Sequence, residues 1–187
     1  GDLGETGLSS GPRVGKDYFR IEAVGVLDEL VAALGLARSL IPERPVASGS
    51  VHGEQSGVQS RESSTDDGEL DNLLERIQRE LFVICAELAS IAPKREKLRQ
   101  IGEADIQRLE DEIDRRVPPN EDCRQPTLPG RSPLSANLNW ARVIARKAER
   151  RIVAVVRKAP AGEIINPRLL AYMNRLSDLL FVLASGR

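Results

Sequence analysis

The stretch PLSANLNWARVIARKAERRIVAVVRK, residues 133–158, decides the fold. Within it Leu134, Leu138, Ala141, Ala145, Ala148, Ile152 and Val155 recur in alternating steps of four and three. That spacing keeps a single face of a helix apolar along its whole length, as in the seam of a bundle or coiled coil. The spacing predicts a helix from Pro133 to Lys158.

Neighbouring stretches repeat the pattern. After Asn166–Pro167 come Leu169, Met173, Leu176, Leu180 and Leu183, a second helix on the same period. Toward the amino terminus, Ala23, Leu27, Leu30, Leu34, Ala37 and Ile41 mark a helix over residues 17–41, ended by Pro42 and Pro45. Leu70, Leu74, Ile77, Leu81, Ile84, Leu88 and Ile91 mark another, which stops at Pro93. A shorter helix over 103–116 precedes Pro118–Pro119 and the turn-rich residues 125–133. No stretch alternates as a strand would, so the expected fold class is all-α, five helices in one bundle. Residues 42–68, rich in Ser, Gly, Gln and acid without period, read as a mobile surface insertion. Val24, Val31 and Val143 widen the apolar stripes, which suits either a subunit interface or a well-covered internal helix.

Composition narrows the functions. A chain of 187 residues, 41% apolar, can bury one sizeable core, so residues 1–187 are expected to form one domain. Charged residues make up 29% yet sum to −1, which calls for no nucleic-acid or anionic-membrane partner. No apolar run nears the roughly 20 residues that span a bilayer, and the amino terminus lacks a signal-peptide pattern. Cys85 in an apolar helical stretch and Cys123 in a polar loop read as reduced thiols, so a cytoplasmic protein is expected. His52 is the only histidine and lies in a Gly/Ser-rich stretch, so no metal site built from protein side chains is expected.

Chemistry-bearing residues gather in four places. In the 133–158 helix, Arg142, Arg146 and Glu149 fall on one flank beside the apolar seam, with Arg150 one position on. Arg146 and Glu149 stand at a spacing that allows a pair along the helix. The row reads either as a solvated, salt-bridged face or as a phosphate grip, since planar guanidinium donors meet oxyanions bidentately. The head, GDLGETGLSSGPRVGK over residues 1–16, holds five glycines by Gly15 and too little apolar content for a helix. Glycines let backbone approach a ligand, and successive amides and hydroxyls can cradle an anion, with Lys16 as a point charge. Its spacing is not that of a Walker A loop, and a flexible terminus fits it about as well. Asp28 and Glu29 lie among apolar neighbours of the first helix, exposed or paired with an arginine elsewhere. Asn174, Arg175, Ser177 and Asp178 form a polar edge against the last leucine seam.

GDLGETGLSSGPRVGKDYFRIEAVGVLDEL, then LPG with ARVIARKAERR, then YMNRLSDLLFVLA together resemble the ATP:cob(I)alamin adenosyltransferases of the propanediol-utilisation type. The resemblance covers most of the chain outside residues 42–68 and the third helix. It implies a five-helix bundle, a homotrimer, and sites between adjacent subunits. It further implies ATP, Mg²⁺ and cobalamin, the last as substrate: cob(I)alamin attacks the 5′ carbon of ATP and releases triphosphate. By position, Gly1, Thr6, Gly7 and Lys16 would hold the ATP phosphates with Mg²⁺. Arg146, Lys147, Ala148, Glu149 and Arg150 would line the nucleotide site, joined by Asn174. Asp28 would pair with Arg146 across the subunit boundary, and Arg142 would support them. A cobalamin reductase and an adenosylcobalamin-dependent enzyme are the implied partners.

The chain departs from the family at several points. The usual Thr-x-Thr falls ahead of Gly1. Val31 stands where the family often has asparagine, Pro126 where it has the phenylalanine of Phe-x-Leu-Pro-Gly, and Lys147 where arginine is frequent. Lysine keeps the charge but loses the fork. Pro126 and Val31 motivate an alternative, an ATP-binding regulatory homologue without corrinoid chemistry. A helical interaction module using residues 142–158 is the remaining rival, which the balanced charge disfavours.

Overall fold

The computed structural model describes residues 1–9, 12–42, 63–91, 94–117 and 128–186. Five helices carry the fold: α1 (Phe19–Arg38), α2 (Ser63–Ala89), α3 (Glu103–Arg116), α4 (Pro133–Lys158) and α5 (Arg168–Ala184). A short 3₁₀ turn, Arg95–Lys97, links α2 to α3. α4 lies between α1 and α5, α2 packs on α1, and α3 packs on α5. The bounds of α3 and α4 are those the periodicity predicts. α4 starts sharply because Ser132 Oγ accepts the Ser135 amide at 3.1 Å and Pro133 supplies its fixed φ at the first position.

Two expectations change. The head is not strandless: β1 (Glu5–Gly7) and β2 (Arg13–Gly15) pair antiparallel, with Thr6 opposite Val14. Three residues are too few for alternation to show, and Gly4 turns the entry at φ 77°. α2 begins at Ser63, so residues 63–68 of the presumed insertion are helical. They lack an apolar face, which is why periodicity misses them, and Asp66 in the first turn suits the positive helix start. Residues 43–62, with His52, lie outside the described residues, as do Cys123 and Pro126.

The core takes the predicted positions. Leu27, Leu30, Leu34, Leu74, Ile77, Leu81, Ala145, Ala148, Ile152, Met173, Leu176 and Leu180 are fully buried. Each large one contributes roughly 1.5–3 kcal/mol relative to exposure. Alanines at 141, 145 and 148 let the neighbouring helices approach α4 closely. Across the middle, buried Tyr172 of α5 donates to Glu80 Oε2 of α2 at 2.6 Å, and Arg108 of α3 donates to Glu80 Oε1 at 3.1 Å. Val24 and Val31 pack at the core's edge, whereas Val143 and Trp140 on α4 stay half exposed, at 54% and 53%. No helix among the described residues is long and apolar enough to cross a membrane.

Candidate functional site

The hairpin brings the head residues together. Thr6 sits mid-strand and Gly7 closes β1 opposite Arg13. The Lys16 amide donates to Gly4 O at 2.8 Å, which folds Lys16 back over the start of the chain. Its ammonium stands 3.8 Å from where a Cβ on Gly1 would lie. Gly1 and Lys16 thus meet on the exposed start of the head, while half-buried Thr6 and exposed Gly7 lie on the strand that follows, offering amides, a hydroxyl and an ammonium of the kind that suits anionic oxygens.

Beside it runs a pocket of about 330 Å³ between the head, α1 and α4, lined by Asp17, Tyr18, Phe19, Glu22, Arg151 and Lys158. The Tyr18 and Phe19 rings touch at 4.2 Å between centroids, and Lys158 Nζ stands 6.0 Å over Phe19. Sequence reasoning missed this wall. Its signal was the aromatic pair directly after Lys16–Asp17, and Arg151 as the next member of the arginine row.

On α4 the row divides by its partners. Lys147 Nζ binds the Glu29 carboxylate of α1 at 2.9 and 3.2 Å. Arg151 approaches Glu22 of the same helix at 3.6 Å. Arg142 Nε donates to Asn139 Oδ1 at 3.3 Å, and Arg150 Nη1 donates to Arg146 O at 3.0 Å. The Arg146 guanidinium is exposed and has no hydrogen bond or ion pair among the described residues. Glu149 is half-buried, and the pair with Arg146 that the spacing allows does not form. Ala148 is fully buried, so its methyl packs in the core and only its backbone could face a ligand.

Asp28 and Glu29 are adjacent on a helix and so point about 100° apart. Glu29 faces α4 and takes Lys147. Asp28 is exposed, without an ion pair among the described residues, on the flank toward α2. There burial, aided by the Asp28 charge, pushes the Cys85 thiol up to about 12, so Cys85 is an inert neighbour. Asn174 lies elsewhere. It is exposed on α5, accepts from Arg175 Nη1 at 3.2 Å, and borders a groove of about 640 Å³ with Glu103, Glu110 and Arg168. No hydrogen bond or ion pair among the described residues joins Asn174 to the α4 row. One chain therefore assembles the head and lines up α4, but leaves Asp28, Arg146 and Asn174 without each other.

Among the described residues no group of three or more His, Cys, Asp or Glu could hold a metal ion.

Known proteins resemble this chain over nearly its whole length. A corrinoid adenosyltransferase of Citrobacter freundii is 36% identical over 185 residues, covering 98% of this chain and 89% of that protein. The corrinoid adenosyltransferase PduO of Salmonella typhimurium is 37% identical, and there the chain spans 47% of the relative's length. Among solved structures, a variant PduO-type ATP:corrinoid adenosyltransferase from Lactobacillus reuteri, complexed with cobalamin and ATP, superposes with a TM-score of 0.78 at 31% identity, covering 98% of this chain and 86% of that one. The cobalamin adenosyltransferase family model matches residues 1–186, and the chain belongs to that family.

Proposed function

We infer that the chain is an ATP:corrinoid adenosyltransferase, moving the 5′-deoxyadenosyl group of ATP to cob(I)alamin and releasing triphosphate. The observation that carries this reading is the match over residues 1–186, which takes in head, α4 and α5 together. Co(I) supplies the electron pair that forms the cobalt–carbon bond, and the C5′–oxygen bond breaks with its electrons leaving on triphosphate. No proton moves, so no general base is needed. The protein's work is positioning, charge stabilisation on the leaving oxygen, and exclusion of water.

Each candidate residue takes a role on that scheme. Gly1, Thr6, Gly7 and Lys16 grip the triphosphate, with Mg²⁺ carried on its oxygens. Arg146 is the free donor that meets charge developing on the leaving group. Lys147, Glu149 and Arg150 border the nucleotide, Ala148 through its backbone. Glu29 holds Lys147 in place at 2.9 Å. Asp28 and Arg146, neither paired among the described residues, pair with their counterparts across a subunit boundary, and Asn174 reaches the nucleotide of a neighbour. Arg142 supports the row. The working unit on this reading is the homotrimer that the resemblance implies, and the half-exposed Trp140 and Val143 of α4 offer apolar surface for it to bury. A cobalamin reductase would supply Co(I), an adenosylcobalamin-dependent enzyme would take the product, and the cytoplasm is the expected setting.

The test is the absorption spectrum of chemically reduced cob(I)alamin with Mg·ATP and the purified chain, before and after illumination. An alkylcobalamin spectrum that light destroys is the expected result. ATP binding without conversion would replace this reading with that of an ATP-binding regulatory homologue.

A further inference from the structure

The hairpin that presents the head residues is two strands of three residues, too little to hold a shape unaided. What fixes it lies at the far end of α2. A helix leaves its last carbonyls without partners, and α2 has no basic residue in its last turn to satisfy them. The Leu88 carbonyl instead accepts from Arg20 Nη1 at 2.9 Å, and the Ala89 carbonyl from the amide of Ser9 at 2.9 Å. Ser9 lies in the loop between the two strands. Its own carbonyl and hydroxyl accept from Lys94 Nζ, at 2.8 and 3.0 Å. Lys94 is itself anchored through its neighbour: Arg95 binds Glu163 at 2.9 Å and the Ile164 carbonyl at 2.7 Å.

We propose that Lys94 is a positioning residue for ATP, acting through Ser9 to clamp the phosphate-gripping hairpin onto the end of α2. It touches no ligand itself. The inference rests on the functional reading above, which puts the triphosphate on the hairpin. With the clamp in place the amides around Thr6 and Gly7 are ordered before ATP arrives, so binding does not spend free energy ordering them. Without it the Ser9 amide is the one hydrogen bond left between the loop and α2 among the described residues.

The experiment compares wild type, Lys94→Met and Lys94→Arg. Four readouts are taken: amide hydrogen exchange of residues 1–9 without ligand, the calorimetric Kd for Mg·ATP, KM for ATP and for cobalamin, and kcat. Lys94→Met should exchange faster over residues 1–9 and bind Mg·ATP about tenfold more weakly, in line with losing one or two charge-assisted bonds. Its KM for ATP should rise by a similar factor, with kcat and KM for cobalamin within about twofold of wild type. Lys94→Arg, which can still donate to both Ser9 oxygens, should restore most of the loss. Unchanged exchange over residues 1–9 overturns the clamp, and so does faster exchange with unaltered ATP affinity. A loss of kcat with unaltered KM overturns it too. If even wild type makes no alkylcobalamin, the functional reading has failed, while exchange and Kd still decide the clamp.

Discussion

Arg146 stands apart in a row whose other cations are occupied. Lys147 is tied to Glu29, Arg151 leans on Glu22, and Arg142 and Arg150 donate within α4. On the proposed scheme a guanidinium without a partner among the described residues is available for charge that develops only as the bond breaks. Arg146→Ala is therefore expected to lower kcat at least ~100-fold, the usual loss for one such donor. Stopped-flow decay of the cob(I)alamin absorbance checks this, and a near-wild-type rate would remove Arg146 from the mechanism. Glu163 shows the opposite economy. One carboxylate oxygen serves buried Arg20 at 2.7 Å and Arg95 at 2.9 Å. Glu163→Gln would leave two buried cations without a counter-charge and is expected to destabilise the fold by about 3–5 kcal/mol. Urea unfolding measures it; a loss under about 1 kcal/mol would mean that water reaches both guanidiniums.

Elements were legible from sequence to the extent that they are long and one-sided. α4 was readable to its ends because seven apolar positions step without a break from Leu134 to Val155 and a Ser-Pro pair opens it. α2 was misread at its start because residues 63–68 form helix without an apolar face, and the hairpin was missed because its strands are shorter than one full alternation. The junctions between elements were the least legible. They depend on polar groups far apart in sequence, such as buried Glu87 of α2, which accepts from the Ile101 amide at 2.7 Å and from Asn166 at 3.0 Å. Burial pushes the Glu87 carboxyl above its ordinary range, and those two hydrogen bonds oppose the shift only in part. A carboxyl raised on folding contributes stability below its unfolded pKa and loses it as pH rises through the folded value. The expected outcome is a Tm gap between wild type and Glu87→Gln that moves against wild type as pH climbs from about 4 toward 7. A gap that does not change with pH would mean that Glu87 folds with its ordinary pKa.

At the scale of the molecule, the residues assigned by resemblance fall on three surfaces of one chain. The head borders α1 and the Arg151–Lys158 end of α4, Lys147 of the α4 row is tied to α1, Asp28 turns toward α2, and Asn174 lies over the α3–α5 groove. Sequence order could not show this, because motifs adjacent in function are separated by helix rotation; Asp28 and Glu29 are neighbours in sequence yet face different helices. If the site is completed between subunits, Asp28 of one chain works with Arg146 of the next. Asp28→Ala and Arg146→Ala chains would each be inactive alone. Mixed, unfolded and refolded together at equal amounts, they would place an intact Asp28 against an intact Arg146 at about one boundary in four of a closed ring. About a quarter of wild-type adenosylation should then return, falling toward none as either variant outnumbers the other and rising toward full activity as wild-type chain is added. Activity no greater than the average of the two separate variants would put both residues in the same chain's site and dissolve the case for a shared one.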